Sequence, residues 1–226
     1  MRKRLTRQTT IDGAIAYADE HGIDALSISA LARHLGVAAP SLYVHLPGGL
    51  RDLRIALSVK GHRDLAEHCR RAATGRSGAD ALRALAHAQR AYAREHPALY
   101  AATHFAVDGF DDEEVRSAAD EAAAVTVDVL AVGSLTGAAL THAARGIRSA
   151  VQGFCALESA GVFALRVSLD DSFAWLVDAL VSKAMGATAL STGATALSTG
   201  ATALSTGATA LSTGATAVWE SGPRPT

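Results

Sequence analysis

The chain has 226 residues, 49% of them hydrophobic and 19% charged, with a net charge of −1. That apolar supply is enough to bury a core, the near-neutral balance argues against a generic nucleic-acid coat protein, and 5% aromatics with abundant Ala favour packed helices over a β-rich fold. No stretch holds the 18 or more consecutive apolar residues of a membrane span, and the N-terminus MRKRLTRQTT lacks the apolar core of a signal peptide, so a cytoplasmic protein with no membrane partner is expected.

Charge is unevenly placed along the chain. Residues through Arg71 hold 11 Lys and Arg against 7 Asp and Glu; the remainder hold 10 against 15. A basic front of +4 therefore precedes an acidic back of −5, as in a chain whose front approaches phosphates and whose back does not. Cys69 and Cys155 stand alone in helical segments, the pattern of reduced, packed thiols.

In chain order, Arg2, Lys3, Arg4 and Arg7 form a short basic arm. From Thr10, apolar Ile11, Ala14, Ile15 and Ala18 share one helix face, and Gly22 stops that helix by accepting a left-handed conformation. Ser27 or Ser29 is placed to cap a short second helix with Leu31, Ala32 and Leu35 turned inward, and Gly36 ends it. Pro40 opens a third short helix, APSLYVHL, at a position where its missing N–H costs nothing, and Pro47-Gly48-Gly49 stops it. A long helix over about 50–73 carries Leu53, Leu57 and Leu65; a fifth helix runs to Glu95, where His96-Pro97 breaks it. A short apolar helix is expected over 98–106. The acids Asp111–Glu114 suit the positive end of a helix reaching about Val132, and two long apolar helices follow over 135–160 and 168–185. Strand signals are nearly absent before residue 186, which makes the fold class all-α.

From Gly186 the heptapeptide GATALST occurs four times in succession, followed by a partial GATA. One Leu per repeat, with a Gly and two Thr, is too little for a zipper. A low-complexity tail over 186–226, weakly structured and with no function of its own, is expected.

The informative stretch is Ser27–Leu46. A helix of about seven residues, a tight turn at Gly36-Val37-Ala38 and a second short helix describe a helix-turn-helix. Ile28, Leu31, Leu35, Val37 and Leu42 can fasten both helices to the first. Ala39, Pro40, Ser41, Tyr43, Val44 and His45 are left around the outer face, where small residues let the backbone approach base edges and phosphate.

This stretch resembles the DNA-binding signature of the TetR-type (TetR/AcrR) bacterial regulators. Ser29 stands as the small polar cap, Leu31-Ala32-Arg33-His34-Leu35-Gly36-Val37 as the L-A-x-x-L-G-V turn, and Pro40-Ser41-Leu42-Tyr43-Val44-His45-Leu46 as the segment after it. The run Gly153–Phe163 is similar to the GF-x-x-LE-x-x-G-x-F segment of one branch, that with the WHG-type C-terminal ligand-binding domain, and the stretch EHPALYAAT at Glu95–Thr103 also resembles that branch. The resemblance spans about residues 5–185. It implies an N-terminal three-helix helix-turn-helix DNA-binding domain over 1–50 and a helical-bundle effector-binding and dimerisation domain over 51–185. The implied partners are double-stranded operator DNA, a small-molecule effector, and a second copy of the chain through the helices near 135–160 and 168–185.

Carried over by residue, the resemblance implies that Tyr43 and His45 contact the operator backbone and that Ser41 meets phosphate or a base edge. Ala39 and Pro40 lie against bases, Ser29 caps the second helix and touches phosphate, and Arg2, Lys3 and Arg4 add mobile electrostatic contacts. The alternatives are that Tyr43 closes the small core as a half-buried ring and that His45 is a helix C-terminal histidine. One position departs from the pattern: the Lys that the family carries after the recognition helix falls at Gly49. Arg51, Arg54 or the N–H groups opening the fourth helix can take its place.

Other chemistries find no constellation. His62, His68 and Cys69 lack metal-ligand spacing, no G-x-S-x-G elbow is present, and no cofactor motif stands out, so neither an enzyme nor a cofactor is expected. Tyr100, His104, Phe105, Phe110, Arg148, Phe154 and Trp175 are the candidates for a largely apolar effector pocket, with plain core packing as the alternative for each aromatic. Arg145 and Arg148 can meet a carboxylate ligand or lie at an interface. The function expected is that of a ligand-responsive regulator, first of all a repressor, on a palindromic operator. An orphan helical small-molecule-binding protein without operator specificity is the rival reading.

Overall fold

The first helix, α1 (Arg7–His21), begins at a reciprocal cap: Thr6 Oγ1 accepts the Thr9 N–H at 3.1 Å and Thr9 Oγ1 accepts the Thr6 N–H at 2.9 Å. The structure, a computed structural model, describes residues 4–104, 112–132 and 135–202, with side chains through residue 186. Arg2, Lys3, Phe105, Phe110, Asp111, Gly133 and Ser134 lie outside the described residues. Beyond Gly22 and a 3₁₀ turn (Ile23–Ala25) come α2 (Ile28–Leu35), α3 (Ala39–Tyr43), α4 (Leu50–Ala73), α5 (Gly78–Glu95) and α6 (Pro97–Ala102). Then follow α7 (Glu113–Val132), α8 (Gly137–Ser159) and α9 (Leu169–Thr202). Among the described residues every α-helix expected from the sequence is present and no strand occurs.

Helix α4 carries the fold. It packs against α1 at its N-terminal end and against α5, α6 and α7 along its length, while α8 lies on α5 and α7. Leu31 and Leu42 of the small N-terminal helices, with Leu46 just beyond α3, meet Leu53 and Leu57 of α4, all fully buried, and the same core continues to Leu82, Tyr92, Val151, Phe173 and Val177. Burial of each such side chain is worth on the order of 2 kcal/mol, so the small helices are held by a shared core rather than by their own length. Close approach of α4 and α6 requires Gly61, where a β-carbon would lie 2.4 Å from the Leu99 carbonyl oxygen.

Three helix ends differ from the sequence reading, the first being α6, which stops at Ala102 instead of reaching 106. α3 stops at Tyr43, where the chain tightens into i→i−3 turns, the His45 N–H reaching the Leu42 carbonyl at 2.9 Å and the Gly49 N–H the Leu46 carbonyl at 2.8 Å, with Leu46 fully buried between them. α9 runs on through Thr202 instead of ending at 185, since two Ala and one Leu in every repeat supply helix propensity against its Gly and Thr. The chain divides into two units, residues 1–188 and 189–226, and the second is described only as helical backbone over 189–202.

Candidate nucleic-acid interface and ligand cavity

Local chemistry sets the helix-turn-helix. Ser27, with extended backbone, caps α2 by accepting the Ala30 N–H at 3.1 Å, which leaves Ser29 exposed in the first turn of the helix; of the two serines, Ser27 is the cap, and the role implied for Ser29 as cap is corrected. Gly36 ends α2 at φ +65°, and the Val37 N–H reaches back to Ala32 at 3.0 Å. Gly13 of α1 lets Leu35 seat against it, since a β-carbon there would lie 2.5 Å from Leu35 Cδ2. With Leu31 and Leu42 turned fully inward, α3 presents exposed Pro40, Ser41 and Tyr43, followed by exposed Val44, while Ala39 and His45 are half-buried. Arg7 Nη1 donates to the His45 carbonyl at 3.3 Å, tying the start of α1 to the end of the recognition segment. Arg4 and Arg51 are exposed on either side.

The departure at Gly49 has a local cause. Gly49 is buried at φ +62° and ψ −127°, a backbone conformation that glycine reaches at little cost and other residues do not. A β-carbon there would lie 3.2 Å from Tyr43 Cε1. The neighbouring Gly48 N–H donates to Asp52 Oδ2 at 2.6 Å, and a β-carbon on Gly48 would collide with that carboxylate. The Tyr43 ring thus rests over a turn whose backbone at position 49 favours glycine, half covered and half exposed at 50%. The two readings of Tyr43, as core-closing ring and as outward-facing side chain, describe the two sides of one ring.

A second feature is a cavity of about 440 Å³ among α4, α5, the end of α6, α7 and α8. His62 and Leu65 enter it from α4, Gln89 from α5 and Thr103 from beyond α6. α7 and α8 supply small apolar residues with Asp120, Thr126, Thr141, Arg145, Arg148 and Gln152. The His62 Nδ1 lies 2.9 Å from the Ser58 carbonyl, which can only accept, so Nδ1 carries the proton and Nε2 is left as an acceptor. Burial pushes this imidazole below its ordinary pKa, the Ser58 bond opposes that, and the positive charge of Arg148 adds to the lowering.

Of the pocket candidates read from the sequence, Arg148 lines this cavity and Tyr100 stands behind it, its hydroxyl accepting from Gln89 at 3.0 Å. His104 is exposed just beyond α6 and packs edge-on to Tyr100 at 4.9 Å. Phe154 and Trp175 are not among the residues that line this cavity. Phe154 packs at 5.0 Å on Phe173 and under the Arg90 guanidinium, away from the cavity. Trp175 is 74% exposed, because it sits on the side of α9 opposite buried Phe173 and Val177. Phe105 and Phe110 fall outside the described residues. His62, Gln89 and Thr103 line the wall without having been expected there; His62 and Gln89 stand among other polar residues of their helices and Thr103 follows α6, so none is marked in sequence.

Arg90 of α5 binds residues of two other helices, α8 and α9. Its Nε and Nη2 donate to the two Glu158 carboxylate oxygens at 2.8 and 2.7 Å, Nη1 meets Asp170 at 2.8 Å, and the guanidinium lies 4.8 Å from the Phe173 ring centroid. This buried fork fixes the C-terminal end of α8 and the start of α9 to α5. Hydrogen bonds from Arg90 hold the Glu158 carboxyl below its usual range. Cys69 and Cys155 are buried and unpaired, and burial pushes the Cys69 thiol up to about 12.

A helix-turn-helix with an open recognition face, sharing its core with a helical domain that holds a cavity, defines the class of helix-turn-helix transcriptional regulators. Residues 11–48 match the tetR family of bacterial regulatory proteins, and residues 82–180 match the tetracyclin repressor-like C-terminal domain. The HTH-type transcriptional regulator Rv0681 of Mycobacterium tuberculosis is 38% identical over 159 residues, covering 70% of this chain and 72% of that protein. YobS of Bacillus subtilis, also an HTH-type transcriptional regulator, is 30% identical over 179 residues, covering 79% and 92%. The crystal structure of regulatory protein SCO4313 superposes with a TM-score of 0.63 at 28% identity, covering 77% of this chain and 94% of that one. The FadR regulator of Bacillus subtilis, crystallised with stearoyl-CoA, has the same fold at 15% identity, with a TM-score of 0.62 and coverage of 77% and 97%. The chain belongs to the TetR family of transcriptional regulators and is not an enzyme. No described helix is long and apolar enough to cross a membrane.

Proposed function

We propose that this chain is a ligand-responsive repressor that binds a palindromic operator as a homodimer and is released from it by a small-molecule effector. The observation that carries the reading is the open outer face of α3 over a fully buried inner face of Leu31, Leu42 and Leu46. Pro40 and Ala39 meet base edges by apolar contact, Ser41 and Ser29 meet phosphate, and Tyr43 and His45 reach the operator backbone. Arg4 adds a mobile charge, and Arg51 takes the phosphate that a Lys at position 49 would hold.

One such helix touches few bases, so two-fold pairing supplies both affinity and half-site spacing. Support for pairing through α8 and α9 is their uncovered apolar side, with Leu157 and Trp175 exposed and Gly146 and Gly153 opening onto free space. Support for effector control is that α4 carries both cavity residue His62 and the leucines that seat α2 and α3. An effector then acts by binding better to one spacing of the recognition helices than to another. The domain division follows the same lines: DNA contacts from 1–50, effector binding and pairing from 51–185, and no required role for the repeats of 186–226.

A gel-shift titration against the gene's own upstream DNA at physiological salt tests the reading. Affinity well above that for scrambled DNA of the same length is expected. Equal affinities would favour an orphan small-molecule-binding protein instead.

A further inference from the structure

Helix α8 sends two parallel rows toward the cavity. Leu140, Ala144 and Ile147 form the apolar row, and Thr141, Arg145, Arg148 and Gln152 form a polar row at i, i+4, i+7 and i+11 beside it. The arginines are the notable pair. Neither Arg145 nor Arg148 has an ion-pair or hydrogen-bond partner among the described residues, although both lie one turn apart on the same wall. Two like charges on one helix face repel, and a guanidinium fork is built to take a planar oxyanion in two parallel bonds.

The rest of the wall constrains what such an anion is attached to. Asp120 is the single carboxylate among the described lining residues, and His62 offers Nε2 as an acceptor, so the described wall keeps a net positive charge. The apolar part of the described lining is aliphatic: Leu65 of α4 and Ala119, Ala122, Ala123 and Val127 of α7 stand with the apolar row of α8. At about 30 Å³ per non-hydrogen atom, a space of 440 Å³ takes a molecule of roughly 15 such atoms. From these observations we infer that the effector class of this cavity is a small carboxylate with a flexible aliphatic body, its carboxylate held by Arg145 and Arg148. This rests on the reading of the cavity as the effector site.

Three probes of one shape separate the charge from the site: octanoate, 1-octanol and octylammonium, each titrated calorimetrically into the full-length protein. Octanoate is expected to bind about tenfold or more tighter than octanol, with octylammonium weakest, since charge-assisted bonds to two guanidinia exist only for the anion. In Arg145→Gln/Arg148→Gln the octanoate affinity is expected to fall to that of octanol while octanol binding stays unchanged. Octanol binding as well as octanoate in the wild type would overturn the carboxylate class and leave the cavity as the effector site. No binding of any of the three would overturn both. An unchanged octanoate affinity in the double variant, together with a weakened dimer by sedimentation, would place the arginines at the subunit interface and overturn the inference.

Discussion

Asp19 Oδ1 accepts the backbone N–H of Ala98 at 2.9 Å, so a carboxylate of α1 caps the start of α6, 79 residues further along the chain. The other end of that short helix delivers Thr103 to the cavity wall, and its middle lies against Gly61 of α4. One hydrogen bond thereby links the helix-turn-helix to the cavity by a route separate from α4. Asp19→Ala is expected to cost about 1 kcal/mol, the usual value of a lost helix cap, and to speed amide exchange at Ala98, while Asp19→Asn retains most of the protection. Hydrogen exchange over 97–102 checks this, and unaltered exchange in Asp19→Ala would remove the link.

Installing the lysine that the family pattern expects should harm this protein. Gly49→Lys forces a side chain into a glycine conformation against the Tyr43 ring, at a cost of about 1–3 kcal/mol. The urea midpoint is expected to fall, with operator affinity no better than wild type. Gly49→Ala should lose a similar amount, because the strain is in the backbone.

The Arg90–Glu158 fork gives a pH dependence of defined sign. Its bonds hold the Glu158 carboxyl below its unfolded value of about 4.3, so the unfolded chain binds the proton more tightly. The stabilisation is complete above that value and is lost as pH falls through the lower folded value. Glu158→Gln is expected to cost about 3 kcal/mol at pH 7 and to flatten the acid limb of stability against pH. Parallel acid limbs in wild type and variant would exclude Glu158 as its source.

Gly153 lies mid-helix with nothing within 4 Å of where its β-carbon would be. Gly153→Leu should therefore leave the protomer folded, and even favour its helix, while crowding a symmetry mate packed on α8. Sedimentation is expected to show a dimer dissociation constant raised tenfold or more with an unchanged circular dichroism spectrum. A dimer of unchanged strength would move the interface elsewhere.

The parts legible in the sequence are those fixed by short-range chemistry. Gly36 at a left-handed turn, Pro40 in a first turn, and Leu31 and Leu42 at helical spacing each announce their place without knowledge of distant residues. Trp175 shows the limit: α9 is apolar around much of its girth, and periodicity alone does not say which side meets the core and which is left open. Arg90 shows another, for its burial depends on a carboxylate 68 residues away, and in sequence it reads as an ordinary surface charge. His62 invites comparison with His68 and Cys69 along the chain, whereas its position is set by the Ser58 carbonyl one turn back and by α8 across the cavity. Ser27 and Ser29 are both chemically able to cap; the extended backbone at Ser27 decides between them.

Recognition through the outer face of α3 is tested most directly at Tyr43. Tyr43→Ala removes an exposed ring and leaves Leu42 and Leu46 buried, so the fold and the dimer should persist. An anisotropy titration on the gene's own operator at fixed physiological salt should show affinity reduced about tenfold or more, a change of about 1.4 kcal/mol, with sedimentation unaltered. Wild-type affinity and an unchanged footprint in that variant would contradict recognition through this face.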